Sequence, residues 1–235
     1  MEKFLAKLKS GEKTVVVALG DSITELTWHT MGHLNWCGLL QEALFETYGR
    51  DVCWVINSGL CGDTAAGSLA RLDDDVLRFH PDLVIISYGM NDPETTTLEQ
   101  FRQDLRSLVE RVRARAGAEV LLRTPNPIVN PPTAAVLREG QDVAVETTGT
   151  QVGLFAQAIV DVARETGCPV VDHYTSWKRL ESLRGAANLR EEPNHLWLYM
   201  SDPKHPGPLG HLAFFRDLAP LFRVPSHFPW EIPPS

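Results

Sequence analysis

The chain has 235 residues, 43% of them hydrophobic and 22% charged, a composition that supports a packed core and excludes intrinsic disorder. Its net charge of −8, with no basic tail, repels phosphate backbones and anionic bilayers, so nucleic acid is not an expected partner. The longest obvious apolar run, residues 15–19, has five residues against the roughly 20 that cross a bilayer, and no membrane span is expected.

Residues 1–13, MEKFLAKLKSGEK, interleave Lys and Glu with apolar residues and build no secretory apolar stretch, so a cytoplasmic location is expected. The first strand is predicted over residues 14–19 (TVVVAL), and a helix over 34–48 ends at Gly49. A strand over 52–57 and a helix over 65–78 follow; His80-Pro81 then separates that helix from a strand over 83–88. In the helix predicted over 98–116, Phe101, Leu105, Leu108 and Val112 make one apolar stripe. Its arginines read as a solvated face rather than a nucleic-acid patch. A strand over 119–124 leads into residues 125–148, which read as an irregular surface connection. A helix over 149–165, a strand over 169–172, a second long loop over 191–207 and a helix over 209–221 complete the chain. Most of the strands are continuously apolar, as in a parallel sheet covered by helices on both faces, and the alternation predicts one α/β domain over residues 1–235. Cys37, Cys53, Cys61 and Cys168 show no CxxC spacing and are expected to be buried, reduced thiols.

Open parallel sheets bind ligands beyond the carboxyl ends of their strands, which directs attention to three turns. Ser22, after the first strand, reads either as a turn and cap residue or as a nucleophile, whose own N–H at a helix start would face a developing oxyanion. Gly62 offers a second N–H that a substrate oxygen can approach closely, and Asn91 an amide donor, although both residue types also serve plain turns. Asp202 and His205, three residues apart, can form a carboxylate–imidazole pair that accepts a serine proton.

Four blocks then occur in order: Gly-Asp-Ser-Ile-Thr from Gly20, Asn-x-Gly-x-x-Gly-Asp-Thr from Asn57, Gly-x-Asn-Asp from Gly89, and Asp-x-x-His-Pro-x-x-x-Gly-His from Asp202. This set resembles the GDSL or SGNH hydrolases. The resemblance implies a flavodoxin-like three-layer α/β/α sandwich around a five-stranded parallel sheet, with Ser22, Gly62, Asn91 and His205 as the four namesake residues and Asp202 completing a triad. Ser22, Gly62 and Asn91 would form the oxyanion hole. It implies a serine esterase with no cofactor and no metal, acting on a small-molecule ester. A short acyl group, such as an O-acetyl on a carbohydrate, is favoured by the aromatic and polar character of Trp28, Trp36, His195, Trp197 and Tyr199. Asp21, Trp28 and Trp197 are the candidate substrate-binding residues. The departures from the family pattern are Cys61, where many relatives have a small residue, and the long 125–148 connection.

Competing readings are fewer in features. His29 and His33 have the i, i+4 spacing of a zinc helix but lack the Glu that follows the first His, and Gly32 weakens the helix. No G-x-G-x-x-G or P-loop lysine motif supports nucleotide binding. A longer-chain acyl esterase, lysophospholipase or thioesterase, and a non-catalytic sugar- or acyl-binding module, are the remaining alternatives. His211 is expected to support the last helix or its contact with the preceding loop.

Overall fold

The computed structural model describes residues 1–25, 28–129, 142–182 and 195–227. Five strands, β1 (Thr14–Gly20), β2 (Cys53–Gly59), β3 (Leu83–Ser87), β4 (Glu119–Arg123) and β5 (Val170–Val171), pair in parallel in the order β2-β1-β3-β4-β5. Helices α1 (Glu2–Ser10), α2 (Trp36–Tyr48), α6 (His173–Ser182) and α7 (Pro208–Phe222) cover one face. Helices α3 (Ala65–Asp75), α4 (Leu98–Ala116) and α5 (Asp142–Thr166) cover the other.

The period-two alternation of each strand decides this layering. Val16 and Ala18 join the core shared with α2 and α7, while Val17 and Leu19 join the core shared with α3 and α4. Because both faces are buried, the strands read as unbroken apolar runs. From β1 the chain crosses first to one side, to β2, and then to the other, to β3. The crevice of this strand order therefore opens between the carboxyl ends of β1 and β3, where Ser22 and Asn91 follow. No helix among the described residues is long and apolar enough to cross a membrane.

Several elements differ from the sequence expectation. α1 was not foreseen: Phe4 and Leu8, one turn apart, are its buried pair, Gly11 closes it at φ 76°, and the terminal ammonium lies 3.0 Å from Glu119. α6 was missed as well, since it follows β5 with no intervening turn signal. α5 begins at Asp142, so the connection expected over 125–148 is shorter than it reads, and residues 130–141 lie outside the described residues. β2 runs on through Gly59, α3 stops at Asp75, and a separate 3-10 turn, Leu77–Phe79, leads to His80. Cys37, Cys53 and Cys168 are buried thiols as expected; Cys61 is exposed, because it sits on the turn that follows β2 rather than in an apolar segment.

Candidate active site

The turn after β1 is tightly wound. The Asp21 carbonyl accepts the N–H groups of Thr24 at 3.0 Å and Glu25 at 2.9 Å, and the Asp21 carboxylate accepts that of Ile23 at 2.9 Å. Two amides hold the far side, Asn57 Nδ2 at 2.7 Å and Asn35 Nδ2 at 2.8 Å from the Thr24 carbonyl, while the Gly20 carbonyl accepts Leu60 N–H at 3.0 Å. Gly59 is required here because a Cβ would collide with the backbone of Glu25. Ser22 is thereby fixed at the strand end, and its N–H, like that of Gly62, finds no acceptor among the described residues.

Gly62 adopts φ 76°, a conformation that suits glycine. Asn91 Nδ2 donates to the Asp63 carbonyl at 3.0 Å, which leaves its second N–H to point elsewhere. Buried Asp92 pins both turns together, accepting Ala65 N–H at the start of α3 and Gly89 N–H after β3, each at 2.8 Å. Burial raises its carboxyl to about 6 despite those bonds. Arg71 and Tyr88 add a second tie, both bonded to Asp63.

The opposite wall is the loop before α7. A bridge between Met200 and Pro206 folds it back on itself, and Ser201 N–H donates to the His205 carbonyl at 2.8 Å. Asp202 Oδ1 accepts the backbone N–H groups of Lys204 and His205, both at 2.8 Å, and Oδ2 lies 2.8 Å from His205 Nδ1. Partial burial pushes the Asp202 carboxyl up, but the bonds from the His205 ring and the loop backbone outweigh it and hold it at about 2. An ionised Asp202 only accepts, so Nδ1 carries a proton, and in the neutral ring Nε2 is then the acceptor. His205 Nε2 lies 3.0 Å from Ser22 Oγ, across 183 positions of sequence.

His29, which the sequence offered as half of a zinc-helix spacing, adds a further feature. Its donor atoms and those of Asp202 and His205 lie within 4.8 Å of one another, the one such group among the described residues with spacing suited to a metal. The two imidazoles, however, stack 10° from parallel, so their in-plane lone pairs run along parallel planes and do not converge on one ion. The zinc-helix alternative fails on backbone geometry: His29 lies in a 3-10 turn, Trp28–Thr30, and Met31 and Gly32 follow with φ of 53° and 84°.

The other expected site residues divide. Trp28 is 76% exposed and stands beside the site through its stack on His29. Asp21, expected to face substrate, is instead buried beneath the turn, where its carboxyl is raised to about 7, chiefly by burial. Trp197 is half-buried and packed against the core beneath α7, and Tyr199 lies 5.7 Å from the Trp177 ring. Trp36 is fully buried with its ring 4.4 Å from the guanidinium of Arg123, and so is no part of the pocket wall. The side chain of His195 lies outside the described residues. His211 does brace a helix, but α2 as well as its own: its Nδ1 accepts Trp36 N–H at 3.3 Å, which demands the neutral ring that burial enforces by lowering it to about 3.

Arg123, at the end of β4, went unnoticed in the sequence. It is completely buried between Trp36 and Phe214, 4.4 and 4.3 Å from their ring centres, with no hydrogen-bond partner among the described residues, and burial lowers it to about 10. A β4 residue predicted to be core gives no hint of a buried charge unless the two aromatic faces that receive it are already known.

Known proteins agree with this architecture. The chain is 26% identical over 235 residues to the isoamyl acetate-hydrolyzing esterase 1 homolog of Mus musculus, covering 93% of this chain and 85% of that one. It is 25% identical to an acetylxylan esterase of Geobacillus stearothermophilus, covering 90% and 96% of the two chains. The crystal structure of a catalytic mutant of an acetylxylan esterase from Geobacillus stearothermophilus superposes with a TM-score of 0.67 at 21% identity, covering 92% and 96%. An α/β hydrolase enzyme from the metagenome of Lake Arreo, Spain, gives 0.68 at 22%, covering 89% and 95%. With residues 18–213 matching the GDSL-like Lipase/Acylhydrolase family, this chain belongs to that family and is a carboxylic ester hydrolase.

Proposed function

We propose that the protein is a serine esterase of short-chain carboxylic esters, with O-acetyl groups on carbohydrates or similar small esters as substrates, working through Ser22, His205 and Asp202. The observation that carries this reading is the continuous path from Ser22 Oγ to His205 Nε2 at 3.0 Å and from Nδ1 to Asp202 at 2.8 Å. Ser22 Oγ attacks the ester carbonyl as its proton passes to Nε2, forming a C–O bond. The unpartnered N–H groups of Ser22 and Gly62 and the free amide hydrogen of Asn91 receive the oxyanion. Collapse breaks the bond to the leaving oxygen, which takes the proton from Nε2. Water, giving a proton to the same nitrogen, then attacks the acyl carbonyl; the bond from that carbon to Ser22 Oγ breaks, Oγ takes the proton back from Nε2, and the acid leaves. Ionised Asp202 stabilises the imidazolium in both halves.

The short-acyl preference has two supports: relatives named for isoamyl acetate and acetylxylan share an acetyl group, and Trp28 offers an exposed flat face beside the site on which a sugar can stack. Initial rates on p-nitrophenyl acetate, butyrate, octanoate and palmitate, with an acetylated xylose alongside, test it. The reading expects acetate fastest and a fluorophosphonate probe that labels wild type but not Ser22→Ala. Octanoate or palmitate as the best substrate would replace it with a longer-chain acyl esterase, and no labelling would leave a binding module.

A further inference from the structure

A histidine base needs more than a carboxylate at Nδ1. The bond to Asp202 fixes one ring atom, yet rotation about that bond would swing Nε2 away from Ser22. The face of the ring is where such rotation can be stopped, and it is covered. His29 lies flat against it, ring centres 3.9 Å apart and 10° from parallel, and Trp28 closes the outer face of His29 at 4.0 Å and 29°. This second imidazole is anchored, with Nδ1 2.7 Å from Ser201 Oγ and 3.5 Å from Asp202 Oδ2. It is buried, while Trp28 outside it is not.

We propose that His29 is a positioning residue for His205, a flat plate that holds the plane of the base so that Nε2 stays on Ser22 while Nδ1 stays on Asp202. The proposal rests on the reading of Ser22, His205 and Asp202 as the working triad. The charged and titratable groups that influence His29 are His205 and Asp202 on the loop and His211 on α7. Burial, and then the neighbouring His205, keep His29 below the ordinary imidazole range, against the pull of Asp202. A neutral ring presents its electron-rich face to the imidazolium that forms during attack; a protonated ring would oppose it. The same stack connects the base to Trp28, so the wall that meets the substrate and the group that moves the proton share one column of rings.

The test separates ring from hydrogen bond. On p-nitrophenyl acetate, His29→Ala is expected to lower kcat by about 10- to 100-fold with KM changed less than about threefold, the pattern of a misplaced group. His29→Phe, which restores the plate without the nitrogen, is expected to recover kcat to within about threefold of wild type, and His29→Gln, which keeps a polar partner for Ser201 without a ring, to resemble Ala. Unchanged kcat in His29→Ala, a change confined to KM, or recovery by Gln but not Phe overturns the proposal. Should the Ala variant prove unfolded by its melting curve, the decision passes to His29→Phe against His29→Leu: equal kcat overturns it, and a Leu variant at least tenfold slower supports it. Ser22→Ala, run in parallel, keeps the two readings apart, because a loss of kcat under tenfold there refutes the triad whatever His29 does.

Discussion

The turns bearing Ser22, Gly62 and Asn91 and the loop bearing Asp202 and His205 meet across 3.0 Å, but they are held in different ways. The first set grows directly from β1, β2 and β3, and three of its polar ties are buried, Asn35 on Thr24 and Asp92 on Ala65 and Gly89, with the part-buried bond of Asn57 on Thr24 beside them. The second lies off the sheet on a half-exposed loop. Besides the contact with Ser22, its ties among the described residues include Val129 N–H to the Pro203 carbonyl at 3.0 Å, Asn126 Nδ2 to the Lys204 carbonyl at 3.1 Å, an ion pair of Lys204 with Glu94, and the His29 contacts. On the proposed mechanism the oxyanion donors must be preorganised, because their work is to be in place before charge develops. On the same mechanism the base moves a proton in two directions and would tolerate a looser mount, provided that its ring plane is kept.

The largest expected effect crosses both halves: Ser22→Ala lowers kcat by about 10⁵- to 10⁶-fold, since the remaining members of the unit cannot act without the nucleophile. Single-turnover release of p-nitrophenol measures it, and a loss under tenfold would remove Ser22 from the chemistry. Within the pinned half, Asn91→Ala lowers kcat by roughly 100- to 1000-fold with stability little changed, the effect of one lost oxyanion donor. Asp92→Ala in the same half acts on folding instead. It leaves two buried N–H groups without acceptors, at about 1 to 3 kcal/mol each, and lowers the urea midpoint. In the mounted half the balance reverses: Asn126→Ala is expected to reduce kcat by about tenfold through a displaced loop. Lys204→Ala, which removes an exposed ion pair with Glu94, changes kcat by less than about threefold and stability by under 1 kcal/mol. A stability loss at Lys204 larger than that at Asp92 would invert the comparison.

Acid titration sharpens it further. Burial lowers His173 to about 4 and His211 to about 3, so the unfolded chain, titrating near 6.5, binds their protons first and stability drains as pH falls below 6.5. Asp21 and Asp92, raised to about 7 and about 6, carry the opposite sign: the folded state holds their protons from those values down to about 3.8, and that gain is lost as pH rises. Two protons on each side cancel between about pH 4 and 6. The urea midpoint is therefore expected to be nearly flat across that window and to fall below pH 4, where Asp202, held at about 2, also favours the unfolded chain's proton uptake. Asp21→Asn removes one offset and tilts the plateau downward toward acid; a flat profile in that variant would refute the assignment.

Much of this was legible beforehand because the informative residues sit at strand ends. Unbroken runs such as VVVAL and LVIIS could only be strands buried on both faces, and the turns after them were the natural place to look for Ser22, Gly62 and Asn91. The pair Asp202 and His205 was readable from its spacing within one loop. The burial of Asp21 was not, for a carboxylate beside a nucleophile reads as a contact to substrate until the turn winds and places its oxygen on Ile23 N–H. Trp36 likewise read as pocket wall, and only the arrival of Arg123 from β4 and Phe214 from α7 shows it to be core.

The sequence by itself determined the layers, the strand candidates and the residue types able to do acyl chemistry, because hydrophobic period and turn chemistry are local properties. Tertiary structure decided which of those residues meet. The 3.0 Å contact between Ser22 and His205, the stack of His29 on His205 and the seat of Arg123 between Trp36 and Phe214 all join residues 87 to 183 positions apart. No local rule encodes such encounters; they follow from the strand order β2-β1-β3-β4-β5 and from α7 packing back across the ends of the strands it covers.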